Sequence, residues 1–364
     1  MLYYGQIKDF LGAFEDMKNF DYSVLPGRLL TPEVSNLISA IHEYRGKQQF
    51  FVTARKDVLE SLLEVAVIQS TDASNRIEGI FTSNARLKEL VAQKTQPLNR
   101  NEEEIAGYRY VLSVIHENHD FIPIKPSTLL QLHRDLYRFQ PFNVGGNWKS
   151  SDNLIAGFDN EGVKHIRFTP VPAFETPEAV ENLCKAYNEA IALQVCDPLI
   201  LLIIFIFDFL CIHPFADGNG RMSRLLTILL LYQQNYIVGK YVSLEKIIEE
   251  NKQSYYETLH SSGINWNENS NDPLPFLRYM LGIILSAYRD FEKRLDGVTG
   301  IKRSKSDRIK QVFEQKLGKI KKSDIVEACP DISISMIERT LKQMQNDGTI
   351  ERIGFGRETC YIKK

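Results

Sequence analysis

Twelve consecutive positions, His213-Pro214-Phe215-Ala216-Asp217-Gly218-Asn219-Gly220-Arg221-Met222-Ser223-Arg224, hold an imidazole, a carboxylate, a carboxamide, two glycines and two guanidiniums. The imidazole titrates near neutral pH and suits proton abstraction. The carboxylate of Asp217 offers the hard oxygen that Mg²⁺ prefers. Gly218 and Gly220 let backbone amides approach a ligand closely. A glycine-rich turn that feeds a helix start is an anion site, because unpaired N–H groups and the helix dipole point at the same place. Arg221 and Arg224 lie about one turn apart and can clamp further phosphate oxygens. The ligand implied is a polyphosphate. Each feature alone has a plainer explanation: a helix-end histidine is usually a cap or a core residue, an Asp-Gly-Asn-Gly run a turn, paired helix arginines a solvated face. A Cys211/His213 thiol pair is set aside, since residues two apart on a helix point away from each other.

Two elements must position these residues. The run from Leu199 to Phe207, continuing to Ile212, is the most apolar in the chain and predicts a buried helix that delivers His213, with Pro214 ending it. After Gly220, the residues Met222, Leu225, Leu226, Ile228, Leu229 and Leu230 restore a helical apolar face. Bounded by Pro198 and Asp208, the first run falls well short of the about 20 residues of a membrane span. No membrane association is expected.

Residues His213 to Arg224 match, position by position, the H-x-F-x-[DE]-G-N-G-R-x-x-R signature of Fic proteins, and on them the chain resembles that family. The resemblance implies transfer of the AMP part of ATP to a Ser, Thr or Tyr hydroxyl of a target protein. It makes His213 the general base and Asp217 the holder of Mg²⁺. Gly218, Asn219, Gly220 and the amides up to Arg221 would cradle phosphates, Arg221 the middle of the triphosphate and Arg224 its γ-phosphate. Upstream, Ser74-Asn75-Arg76-Ile77-Glu78-Gly79 resembles the inhibitory [ST]-x-x-x-E-[GN] motif of the family, carried on a short helix, which implies Glu78 pairing with Arg224. The plainer alternative is a helix pattern with Ser74 as cap and Gly79 as terminator. Tyr255 and Tyr256 fall where the family forms its adenine pocket, and adjacent tyrosines also suit a core. The resemblance allows the reverse reaction as well, removal of AMP from a target.

Between Phe142 and Pro172 the helical period disappears. The stretch from Gly145 to Gly157 predicts one side of a β-hairpin, with residues Gly162 to Thr169 as the return. In Fic proteins a hairpin here is the flap that aligns the target side chain. The family often has Arg where Lys149 stands. The run Glu102-Glu103-Glu104 predicts a solvated helix start rather than a metal site.

The bulk properties set the frame. The 364 residues are 43% hydrophobic and 25% charged with a formal net charge of -2, the composition of a soluble globular protein with no overall pull toward nucleic acid. Five scattered cysteines form neither a metal spacing nor a disulfide framework, and no signal peptide is read at the N-terminus, so a cytoplasmic location is expected. A linker at 296–306 precedes a segment that resembles a winged helix-turn-helix, with Ser333, Ser335, Arg339 and Lys342 on its recognition helix and Arg357 on its wing. From Lys302 onward basic residues exceed acidic ones by about six, which leaves DNA, a protein partner or dimerisation open.

The expected architecture is mainly α: an N-terminal helical region with the inhibitory motif (1–105), a Fic-type helical core with a β-hairpin flap (106–295), the linker, and a winged helix (307–364). The expected function is Mg²⁺-dependent protein adenylylation held low by Glu78. The alternative is a transcription regulator that senses nucleotide and binds DNA; pure sensing gives His213 no task.

Overall fold

The computed structural model describes residues 18–54, 56–141, 144–158, 164–298, 305–315, 319–329, 332–354 and 359–363. Two compact units divide between Glu292 and Lys293. In the first, the helices are α1 (Leu25–Leu29), α2 (Pro32–Ala54), α3 (Lys56–Ile77), α4 (Asn84–Val91), α5 (Arg100–Asn118), α6 (Pro126–Leu136), α7 (Thr176–Ala192), α8 (Pro198–Ile212), α9 (Asn219–Gln233), α10 (Leu244–Glu250), α11 (Lys252–Gly263) and α12 (Leu274–Val298). An antiparallel hairpin of β1 (Ile155–Phe158) and β2 (Lys164–Phe168) separates α6 from α7.

Helix α8 is the centre of this unit, since every residue from Leu199 to Ile212 is buried. Its start is fixed by Pro198 at the first helical position and by the Asp197 carboxylate, which accepts the Leu199 N–H. A helix apolar on all sides belongs inside, where each large aliphatic or aromatic side chain gains about 1.5–3 kcal/mol from leaving water. Helices α7 and α9 pack directly on α8. No helix among the described residues is long and apolar enough to cross a membrane. The one carboxylate in α8, Asp208, is buried and accepts hydrogen bonds from Trp266 Nε1 (2.8 Å) and the Tyr22 hydroxyl (3.0 Å). Burial pushes its carboxyl above the ordinary range, with Lys18 and these two donors pulling the other way.

Helix α3 carries the upstream motif and packs against α5 and α10. The motif was expected on a short helix of its own; instead α3 runs unbroken to Ile77, with Ser74 buried in its penultimate turn. Gly79 then turns the chain at φ +79°, its N–H bonded to the Arg76 carbonyl while the Ile80 N–H returns to Asn75. Lys252 Nζ donates to the Ile77 carbonyl at 2.6 Å, a cation at the negative end of the helix.

Two expectations are corrected here. The acidic run at the start of α5 is not a solvated face, for Glu102 and Glu104 are both buried. Asn99 caps α5, and the turn so formed points Glu102 at Arg86 (2.6 Å) and Glu104 at Arg221 (2.6 Å), guanidiniums that compensate the burial. The hairpin is also shorter than expected, because residues 145–154 are not a strand. Their hydrogen bonds go to the loop after α8 instead: the Lys149 N–H to the Pro214 carbonyl (2.9 Å) and Asn153 Nδ2 to the Phe215 carbonyl (3.2 Å).

The second unit contains α13 (Lys305–Gln315), β3 (Ile320–Lys321), α14 (Lys322–Ala328), α15 (Ile334–Asn346), β4 (Ile350–Ile353) and β5 (Cys360–Lys363), with β5 central in an antiparallel sheet of order β3-β5-β4. Ile309, Phe313, Ile325, Ile337, Leu341 and Ile350 belong to its own apolar core. Ser333, Ser335, Arg339 and Lys342 are exposed at and along α15. Arg357, most of the expected linker and the first seventeen residues lie outside the described residues.

Candidate active site

Helix α8 ends where the chemistry begins. His213 takes the left-handed conformation, φ 52° and ψ 59°, which a non-glycine residue adopts at some cost. That turn lets its N–H close on the Phe209 carbonyl and brings Nδ1 within 3.3 Å of the Leu210 carbonyl. A carbonyl can only accept, so Nδ1 carries the proton and Nε2 keeps its lone pair. Burial pushes the imidazole down to about 4; the Leu210 contact opposes this, while the Lys149 ammonium adds to it. At neutral pH the ring is therefore an unprotonated acceptor.

The loop from Pro214 to Gly218 is tied from several sides. Asn219 Oδ1 accepts the Phe215 N–H (2.9 Å) and its Nδ2 returns to the Phe215 carbonyl (2.8 Å). Its carboxamide is thus occupied by the loop, and what Asn219 presents outward is its backbone N–H. Sequence reasoning missed His133, which holds the loop from α6. Its Nδ1 accepts the Gly146 N–H (2.9 Å), so Nε2 bears the hydrogen and donates it to the Asp217 carbonyl (3.1 Å), while the ring stacks on Phe215 with centroids 3.7 Å apart. Only the tertiary arrangement marks this histidine, since in sequence it is one residue on an amphipathic helix.

A protonated His133 would set a second N–H against that of Gly146, and burial pushes the ring down to about 4, against about 6.5 for a free histidine. The unfolded chain then binds the extra proton between those values, so the stability is complete above about 6.5 and is lost as the pH falls toward 4, at up to about 1.4 kcal/mol per pH unit for one such group. His116 and His213 are held down to about 4 as well, chiefly by burial, and add to the slope; Asp208 works in the opposite direction. Urea midpoints are expected to fall from pH 7 to pH 5, and less steeply in His133→Gln. Midpoints that stay level would contradict this assignment.

The expected anion site falls on the first turn of α9. Gly218, at φ +83°, is its N-cap, and a Cβ there would stand 2.9 Å from the Tyr137 hydroxyl. The first N–H to close within the helix is that of Met222, on the Gly218 carbonyl, so the amides of Asn219, Gly220 and Arg221 have no partner within the helix. Over this turn lies Glu78. A Cβ on Gly220 would press on its Oε1, so the carboxylate lies directly against this turn. The same Oε1 accepts from Arg224 at 2.7 Å, while Ser74 binds that guanidinium through its hydroxyl (2.8 Å) and carbonyl (2.9 Å). Burial works against the Arg224 charge, but Glu78 together with the Tyr255 and Tyr108 phenols outweighs this, and the guanidinium is held above its ordinary range. The carboxylate of Glu78 thus sits where an anion would, one-third exposed at 32%.

Arg221 lies elsewhere than expected. It is 1% exposed, paired with Glu104 (2.6 Å) and donating to the Tyr137 hydroxyl (2.8 Å), and its nearest approach to Asp217 is 3.7 Å. A direct grip on the middle of a triphosphate would require this set to rearrange; as it stands, Arg221 braces the Asp217 loop. Asp217 itself is 58% exposed, with Oδ1 accepting the Gly218 N–H (2.7 Å) and Arg100 3.8 Å from Oδ2. Among the described residues no group of three or more His, Cys, Asp or Glu side chains could cage a metal. A single accessible carboxylate beside an anion site nevertheless suits Mg²⁺, which usually takes one or two carboxylates and otherwise phosphates and water. Tyr256, on α11, is partly buried; burial pushes its phenol up, with Glu78 adding to this and Arg224 opposing it. Tyr255, expected in the same pocket, is buried against Phe276 and Tyr279, and Arg224, Ser223 and Glu78 act on its phenol too.

Residues 123–231 match the family model described as Fic/DOC family. Similar curated proteins include protein adenylyltransferase fic-1 of Caenorhabditis elegans (27% identical, 60% of this chain and 38% of that protein), a probable protein adenylyltransferase of Aquifex aeolicus (25%, 52% and 56%) and protein adenylyltransferase Fic of Nematostella vectensis (22%, 67% and 53%). The matched region spans between about two fifths and just over half of the length of these relatives. Among solved structures, a Fic family protein from Desulfovibrio desulfuricans aligns with 92% of this chain and 97% of its own at 23% identity and a TM-score of 0.58. That likeness places the mostly helical fold.

Proposed function

From the premise that this chain carries a Fic/DOC family domain, we propose that it is a protein adenylyltransferase, moving AMP from ATP to a Ser, Thr or Tyr hydroxyl of a target protein and held low by its own Glu78. The observation that carries the proposal is the pairing of a free His213 Nε2 with an anion site that Glu78 already fills. In the productive reaction the target oxygen attacks the α-phosphorus and its proton passes to His213 Nε2. The bond from that phosphorus to the α,β-bridging oxygen breaks, pyrophosphate leaves, and AMP stays on the target as a phosphodiester. The first-turn amides of α9 stabilise phosphate charge, as preorganised donors do in transfers of this kind. Mg²⁺, when bound through Asp217, supplies further neutralisation of phosphate charge. With Glu78 on Arg224, the γ-phosphate lacks its guanidinium and the α-phosphate is presented wrongly.

The adenylyltransferase names of the similar proteins favour this reading, and they lend nothing to a DNA-binding regulator. All five cysteines are free thiols, in keeping with a reducing cytoplasm, where we place the protein. The test is incubation with Mg²⁺ and ATP labelled on the α-phosphate, comparing wild type, Glu78→Gly and Glu78→Gly/His213→Ala. Label on protein is expected from Glu78→Gly alone. Absence of label from all three in a lysate, or label from ATP marked only on the γ-phosphate, would overturn the proposal.

A further inference from the structure

Lys149 has no counterpart in the roles assigned above, yet it is the side chain most closely engaged with the backbone around His213. The residue is 4% exposed, and its ammonium donates to the Ile212 carbonyl (3.1 Å) and to Asn153 Oδ1 (3.0 Å). Its own N–H donates to the Pro214 carbonyl (2.9 Å). Asn153, held by the ammonium, donates from Nδ2 to the Phe215 carbonyl. The lysine side chain therefore fastens the peptide group before His213 directly and, through Asn153, the Phe215 carbonyl beyond it, while the main chain of residue 149 holds the Pro214 carbonyl. Nothing within α8 can do this, because the carbonyls of a last helical turn have no following N–H to bind.

The residue so held is in the left-handed region, where a histidine stays only if its surroundings over-determine it. The contact between Nδ1 and the Leu210 carbonyl, and with it the free lone pair on Nε2, depends on that backbone setting. A buried lysine is a costly way to supply two hydrogen bonds, since an ammonium must leave water and burial lowers it to about 8. An apolar side chain would fill the space with no such cost. Retention of the charge at this point makes sense if its donors fix something that packing cannot.

We propose that Lys149 is a positioning residue for the transfer reaction: by binding the Ile212 carbonyl and, through Asn153, the Phe215 carbonyl, its ammonium locks His213 left-handed, and so fixes the imidazole tautomer that leaves Nε2 as the base. The inference rests on the proposed adenylyltransferase reading for its kinetic consequence and on the structure alone for its effect on the imidazole.

The test uses the full chain with Glu78→Gly as parent, and compares Lys149→Met with Lys149→Arg. Imidazole ¹⁵N spectra are expected to show one Nδ1–H tautomer for His213 in the parent and an exchanging mixture in Lys149→Met. The kcat of Lys149→Met should fall about 10–100-fold with KM for ATP nearly unchanged, the scale of a misplaced catalytic group. Lys149→Arg keeps a charged donor for the Ile212 carbonyl and Asn153 and should recover the parent spectrum and most of kcat. A parent-like His213 spectrum in Lys149→Met overturns the inference, as does a loss shared equally by the methionine and arginine variants. Should the parent transfer no AMP while Lys149→Met still scrambles the tautomer, the adenylyltransferase reading fails and the positioning role stands.

Discussion

Replacing His213 with alanine in the Glu78→Gly background is expected to lower the rate of AMP transfer by about 10²–10⁴-fold, the usual contribution of a general base. Nucleotide affinity should change little, because the proposed phosphate-binding groups are the α9 amides and Arg224, and His213 belongs to the preceding loop. Single-turnover transfer and equilibrium nucleotide binding separate the two. Loss confined to transfer places the imidazole on the reacting hydroxyl, whereas loss confined to binding would make His213 a support for the loop. The pH profile adds a second check with a definite sign. With burial holding the free imidazole at about 4, the acid limb of kcat/KM in the parent should lie well below 6.5, activity being lost as the pH falls through about 4. Bound polyphosphate brings negative charge toward the ring and should move the limb of kcat upward from there. A thermal control is needed, since alanine at a left-handed position is itself strained.

The sequence announces the His213–Arg224 segment because its chemistry is local. A helix that must end at Pro214, two glycines and a new helix start confine the loop to a small space, whatever the rest of the fold does. Glu78 and Arg224 stand 146 positions apart, and composition could not join them; only the resemblance of residues 74–79 to an inhibitory motif did so. What stayed illegible is of a different kind. Glu104 sits in a run of three glutamates that sequence reads as a solvated helix start, and its burial follows from where α5 lies against α9. His133 and Lys149 were hidden for the same reason, because each acts on backbone groups far along the chain and backbone carries no sequence signature. Residues 145–154 have the turn and β-forming residues of a strand, but Lys149 and Asn153 spend their bonds on the loop after α8. Tyr255 and Tyr256 differ in a way no one-dimensional pattern records, since one step along α11 buries the first against Phe276 and Tyr279 and leaves the second only partly buried.

Glu104→Ala is expected to destabilise the larger unit by about 3–5 kcal/mol, as breaking one side of a buried ion pair does, and to lower its thermal midpoint by about 10 °C. The size follows from what remains. Arg221 is 1% exposed, and without Glu104 its charge would face only the Tyr137 hydroxyl at 2.8 Å and Asp217 at 3.7 Å. Arg100, on the other oxygen of Glu104 at 2.8 Å, is largely exposed and can turn to water, so its loss adds little. The loop bearing Asp217 should loosen with Arg221, and magnesium-dependent transfer should fall beyond what global unfolding explains. The double variant Glu104→Leu/Arg221→Met separates the two effects. Apolar replacement of both partners of a buried pair is often neutral or stabilising, so the midpoint should return most of the way. Transfer should not return, because the brace between α5, Tyr137 and Asp217 would still be missing. If the midpoint recovered and transfer with it, the pair would be a packing feature alone; if Glu104→Ala cost less than about 1 kcal/mol, the buried charge would have found another partner and the brace would not exist as drawn.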